Sequence, residues 1–126
     1  MSRKVLLIED EPNITEAIRF LLTRDGWDVD SHVDGTDAVE VIRAATPDLV
    51  ILDVMLPGKS GLDILRDLRE LPELKALPVL MLTARGQARD RELAEKAGVS
   101  RFMTKPFSNK EVLTAVRDLH AQASRL

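Results

Sequence analysis

Four segments carry the residues best suited to chemistry: Glu9-Asp10-Glu11, Asp53, Thr83 and Thr104-Lys105-Pro106. Taken singly, each has an ordinary explanation. Acids favour the first turn of a helix, where they oppose its dipole, and an aspartate after a strand commonly makes a turn or cap. A threonine or lysine at a strand end is usual surface. Taken together, the four are harder to dismiss, because carboxylates converging from two adjacent strands repel one another unless a cation or proton intervenes. The chain has no cysteine and only two histidines, His32 and His120, so a metal here would use oxygen ligands. Mg2+ fits best, since it keeps several waters and leaves positions for phosphate oxygens, whereas Ca2+ wants more protein oxygens. Lys105 then offers a point positive charge, and Thr83 a hydroxyl donor, on the side of the pocket away from the acid pair. These groups suit a phosphoryl anion, whose transfer depends chiefly on positioning and charge neutralisation. An aspartate can accept such a group as an acyl phosphate.

Those segments need a frame that brings them together. Short β-branched or leucine runs alternate with longer stretches of helical period, the pattern of five βα units. Residues 5–8, 49–52 and 79–82 are wholly apolar, as strands buried on both faces are. Trp27, Val29, Ser31 and Val33 alternate with Asp28, Asp30, His32 and Asp34, which reads as a half-exposed edge strand. Residues 101–104 make a short second edge. Between the strands, five helical faces appear: Ile14, Ala17, Ile18, Leu21 and Leu22; Ala38, Val41, Ile42 and Ala45, in a helix from about Thr36; Leu62, Leu65, Leu68 and Leu71; Leu93, Ala94 and Ala97, over 88–97; and Val112, Leu113, Val116, Leu119 and Ala123, over 109–124. The fourth helix is mostly charged and is expected to be the least firmly packed. Right-handed crossovers then lead to the strand order 2-1-3-4-5, a flavodoxin-like, doubly wound α/β sandwich. In such a sheet, ligands bind beyond the carboxyl ends of the strands where their order reverses, here between strands 1 and 3. All four polar segments end there.

At 126 residues the chain is one domain with a real core. Lys and Arg total 18 against 21 Asp and Glu, a net charge of −3, and aromatics are 3%. Direct nucleic-acid binding is disfavoured on both counts. No apolar run approaches the ~20 residues of a membrane span, and the start lacks the apolar core of a signal peptide. With no cysteine to oxidise, a reducing cytoplasm is the expected location.

The runs Val5-Leu6-Leu7-Ile8-Glu9-Asp10-Glu11-Pro12, Leu52-Asp53-Val54-Met55-Leu56-Pro57-Gly58, Leu82-Thr83-Ala84 and Lys105-Pro106-Phe107 together resemble the response-regulator receiver domain of two-component signalling, the type found in chemotaxis regulators. The match spans nearly the whole chain. The resemblance implies that Asp53 is the phosphoacceptor, taking its phosphoryl group from a histidine kinase or a histidine phosphotransfer protein. It implies Mg2+ held by Asp10, by Glu9 directly or through water, by Asp53 and by the backbone carbonyl of Met55. Lys105 would pair with phosphoryl oxygen, Thr83 would shift towards it after transfer, and the small Ala84 would leave the approach open. The Lys105-Pro106 peptide would be cis. Phe102 would be the aromatic switch, although a core phenylalanine of an edge strand is the simpler reading of that residue. Met55 and Arg85 occupy the positions that influence phosphoryl lifetime, and a methionine there implies a long-lived phosphoaspartate.

The face from the fourth helix to the fifth would then change on phosphorylation and be read by a partner or by a second copy, with a homodimer as one possibility. Arg85, Arg89, Arg91 and Arg101 lie on or near it. A stand-alone receiver without an output domain is expected, acting by protein contact or relay rather than as an enzyme on external substrates. A phosphatase of the haloacid-dehalogenase type would want a second aspartate where Met55 stands. A flavin module would want a phosphate-cradling loop where three acids stand. The remaining alternative is a receiver-shaped interaction domain that works unphosphorylated.

Overall fold

The structure, a computed structural model, describes residues 3–84 and 88–124. In chain order these form β1 (Arg3–Ile8), α1 (Pro12–Arg24), β2 (Trp27–His32), α2 (Ala38–Ala45), β3 (Leu49–Asp53), α3 (Gly61–Glu70), β4 (Val79–Thr83), α4 (Ala88–Ala97), β5 (Arg101–Thr104) and α5 (Asn109–Ser124). The strands are parallel and lie in the order β2-β1-β3-β4-β5. This is the flavodoxin-like arrangement that the apolar and alternating runs imply. Among the described residues, no helix is long and apolar enough to cross a membrane.

Alternation along each strand divides the core in two. Val5 and Leu7 face one layer with Ile18, Leu22, Val112 and Val116 of α1 and α5. Leu6 and Ile8 face the other with Ile42, Leu65, Leu68 and Ala94 of α2, α3 and α4. The central strands β3 and β4 are buried throughout, so both layers close on them.

Local chemistry sets the element ends that matter to the site. Pro12 opens α1, where its missing N–H costs nothing. Ser60 caps α3 by accepting from Leu62 N at 3.1 Å. Ser108 and Glu111 form a reciprocal capping box, with bonds of 3.0 and 3.1 Å, that starts α5 just beyond Lys105.

Three expectations are corrected. The second helix begins at Ala38 rather than about Thr36, because Asp34 Oδ1 accepts from Thr36 N at 2.7 Å and holds those residues in a turn. Ser31 and Val33 are exposed, since β2 ends at His32 and Ser31 Oγ turns outward to Arg19. Ala17 is also exposed, because the buried stripe of α1 narrows to Ile18 and Leu22, with Ile14 and Leu21 packed alongside.

Candidate phosphoryl-transfer site

Register brings the polar segments to one edge. β1 pairs Ile8 with Leu52 of β3, so Glu9 and Asp53 emerge side by side, and β3 pairs Asp53 with Leu82 of β4, one residue before Thr83. Lys105 follows β5, and its N–H donates to Thr83 O at 2.7 Å. Beneath Asp53 the α3 helix starts so close that a side chain at Gly61 would collide with the Asp53 carbonyl. A β-carbon at Gly35 would likewise strike Lys59 O, so the loops after β2 and β3 brace each other backbone to backbone.

Glu9 and Asp53 are buried and Asp10 is exposed. Ligand atoms of the three lie within 4.8 Å of one another. Asp53 Oδ1 accepts from Met55 N at 3.2 Å, and Asp53 Oδ2 from Lys105 Nζ at 2.9 Å. Glu9 Oε2 accepts from Glu11 N at 3.1 Å. Glu9 Oε1 is 3.1 Å from Lys105 Nζ, yet it is buried without a hydrogen bond of good geometry. Burial, followed by the neighbouring Asp53, pushes the Glu9 carboxyl up to about 7. Burial pulls the Lys105 ammonium towards the neutral form, but the hydrogen bond to Asp53 and the adjacent Glu9 carboxylate outweigh it and raise its pKa above the ordinary lysine range.

An oxygen-only donor set, clustered carboxylates and a buried carboxylate oxygen lacking a hydrogen bond fit a hard divalent cation, and Mg2+ best. An open cavity of about 490 Å³, lined by Asp10, Met55 and Lys59 among others, lies beside this cluster.

The structure brings Glu9, Asp10, Asp53 and Lys105 together. Lys105 does not stand away from the acids, as expected, but among them, because it is the cation that converging carboxylates attract. The Thr83 hydroxyl is directed to Asp90 Oδ2 at 3.5 Å. The Lys105-Pro106 peptide is cis. Phe102 is half-buried against the α2–α4 layer, with the Arg91 guanidinium 6.0 Å above its ring. Met55 is 70% exposed at the mouth of the site. Arg85 lies outside the described residues.

Two contacts were not legible in the sequence. Glu11 does not cap α1 with its side chain but reaches Lys105 Nζ at 3.3 Å, and Asp90 of α4 meets Thr83. The row of three acids was the only signal for the first. Nothing signalled the second.

The sequence matches the response regulator receiver domain family over residues 5–117. Among solved structures, the chain is similar to the signal receiver domain of a signal transduction histidine kinase from Syntrophus aciditrophicus, at 29% identity and TM-score 0.91, covering 99% of this chain and 95% of that one. It is similar to the BeF3-activated N-terminal receiver domain of RstA from Klebsiella pneumoniae, at 32% identity and TM-score 0.86, covering 94% and 98%. Chemotaxis protein CheY4 of Vibrio cholerae matches at 25% identity and TM-score 0.86, covering 94% and 99%. With most of its length matched and the five-stranded order in place, the chain belongs to the response regulator receiver domain family, the signalling receivers of two-component systems.

Proposed function

We propose that this chain is a single receiver unit that accepts a phosphoryl group on Asp53 from the phosphohistidine of a sensor kinase or a histidine phosphotransfer protein. The observation that carries the reading is the buried Asp53 carboxylate held 2.9 Å from Lys105 Nζ beside Glu9 and Asp10. An Asp53 oxygen attacks phosphorus, the P–N bond to the donor imidazole breaks, and its electron pair stays on that nitrogen. Glu9, Asp10, Asp53 and the Met55 carbonyl would hold Mg2+, directly or through water. When bound, the ion neutralises phosphoryl oxygens and lets the acids sit together. Lys105 meets the charge that builds on the transferring group.

After transfer, Thr83 turns from Asp90 towards the phosphoryl oxygen, and Phe102 turns inward from beneath Arg91. This biases the α4, β5 and α5 face that a target, or a second copy of the chain, reads. α4 is suited to such a shift because, among its residues, Ala94 alone is buried. Met55 offers a thioether at the mouth where a carboxylate or amide could position a hydrolytic water, so the phosphoaspartate persists well beyond seconds.

The test is intact-protein mass after incubation with acetyl phosphate or phosphoramidate, with and without Mg2+, beside Asp53→Asn. One added phosphoryl group that requires Mg2+ and disappears in the variant is the expected result. A folded protein that takes up none points to an interaction domain acting unphosphorylated, and label on the variant means another acid accepts it.

A further inference from the structure

Lys105 contacts more carboxylates than phosphoryl binding requires. Its ammonium hydrogen-bonds to Asp53 Oδ2 at 2.9 Å and to Glu11 Oε1 at 3.3 Å, and it stands 3.1 Å from Glu9 Oε1. An ammonium has only three N–H donors. Hydrogen bonds to Asp53 and Glu11 take two of them and the Glu9 carboxylate crowds the third, so a phosphoryl oxygen that arrives shares with, or displaces, one of these carboxylates. The three differ in what release costs. The side chains of Glu9 and Asp53 are 0% and 3% exposed, and a buried carboxylate stripped of its cation is strongly destabilising. The Glu11 side chain is 60% exposed, so its carboxylate passes into water at little cost. Glu11 also lies outside the cluster formed by Glu9, Asp10 and Asp53. Among the described residues, Lys105 is the one cation it meets.

We propose that Glu11 is a positioning residue that acts through Lys105: its carboxylate holds the place on the ammonium that a phosphoryl oxygen later takes, and phosphorylation displaces it into solvent. The inference rests on the Asp53 reading above. Glu11 keeps the ammonium aimed into the pocket and competes with every phosphoryl ligand. Its charge at the mouth also repels small anionic donors, an effect that salt screens.

The test is beryllofluoride binding in the presence of Mg2+, followed by 19F NMR, for the wild type, Glu11→Gln and Glu16→Gln. Glu16 is exposed on α1, just after Glu11, and its loss changes the net charge equally. Glu11→Gln is expected to bind roughly two- to fivefold more tightly at low ionic strength, the scale of an exposed ion pair. The gain should narrow in about 0.5 M salt, while Glu16→Gln follows the wild type. If the wild type binds but Glu11→Gln binds equally or less well, the place-holding role is wrong. An equal gain in Glu16→Gln would assign the effect to net charge and overturn it too. A wild type that binds no beryllofluoride would remove the Asp53 reading itself, and the role of Glu11 with it.

Discussion

The two ends of the sheet treat charge in opposite ways. At the amino end, Arg3, Lys4, Asp25 and Arg117 each meet an opposing or neutral partner. Arg3 donates to Asp25 O at 2.6 Å and lies 4.8 Å over Trp27, Lys4 Nζ donates to Ala45 O at 3.2 Å, and Arg117 grips Asp25 with bonds of 2.6 and 3.2 Å. The hydrogen bond from Arg117 holds the Asp25 carboxyl below its ordinary range. At the carboxyl end, Lys105 faces three acids, and burial forces the Glu9 carboxyl the other way. One end adds stability; the other holds negative charge in a form that costs stability and suits chemistry. Neutralising a buried acid at the carboxyl end should therefore stabilise, whereas breaking a pair at the amino end, or removing the cation at the carboxyl end, should destabilise.

The largest effect is expected at Lys105. Lys105→Met leaves Glu9 and Asp53 buried without their cation, which should cost about 3–5 kcal/mol at pH 8 in Mg2+-free buffer, read by urea unfolding. The loss should shrink towards pH 5 as the Glu9 carboxyl takes up its proton. A cost below about 1 kcal/mol at pH 8 would mean that the carboxyl end is not charge-stressed, and the comparison would fail.

Glu9→Gln should act in the opposite direction. The carboxyl titrates near 7 in the fold against an ordinary 4.5, so between those values the folded protein keeps a proton that the unfolded chain has lost. Its contribution is fully present below about 4.5 and is lost as pH rises through about 7. The variant should match the wild type near pH 4.5 and exceed it by about 1–3 kcal/mol at pH 8 without Mg2+. Equal urea midpoints at both pH values would show that Glu9 is not strained.

Arg69 tests the amino end. Its guanidinium sits at the end of α3 and donates to the carbonyls of Leu77 and Gly98, each at 2.8 Å, and to Ser100 Oγ at 3.2 Å. It thereby ties the loop before β4 to the end of α4. Arg69→Ala should cost about 1–2 kcal/mol and speed hydrogen exchange at Val99 and Ser100 more than in β3. Uniform exchange across the domain would make Arg69 an ordinary surface residue.

These contrasts mark what could be read from the chain. Residues 49–52 and 79–82 announce central strands because burial on both faces leaves no room for a polar residue, and from those strands the edge that gathers Glu9, Asp53 and Thr83 follows. The charged run of α4 foretold its thin buried stripe, now Ala94. The direction of Lys105 was not legible, because a long flexible side chain is placed by charges arriving from β1 and β3, not by its neighbours in sequence. Glu11 was hidden for the same reason: an acid at a helix start reads as a dipole partner whether or not a lysine from β5 comes within reach. Val33 alternates correctly with Asp34, yet β2 ends before it, and periodicity carries no information on where pairing stops.

The smallest expected effect sharpens the comparison most. Arg117→Ala removes the partner of Asp25 at a site where both groups reach water, the two side chains being 58% and 17% exposed. Such a pair contributes little, and salt screens it. Because the Asp25 carboxyl is held below its ordinary range, its contribution is present at neutral pH and fades as acid protonates it, the reverse of Glu9. The variant should lose slightly at pH 7 in low salt and nothing in high salt or strong acid, as read from urea midpoints. A loss that persisted in high salt would mean that Arg117 works by packing its stem against α1 rather than by charge. The amino end would then owe its stability to side-chain contact, and the contrast with the carboxyl end would be one of packing against charge rather than of paired against unpaired charge.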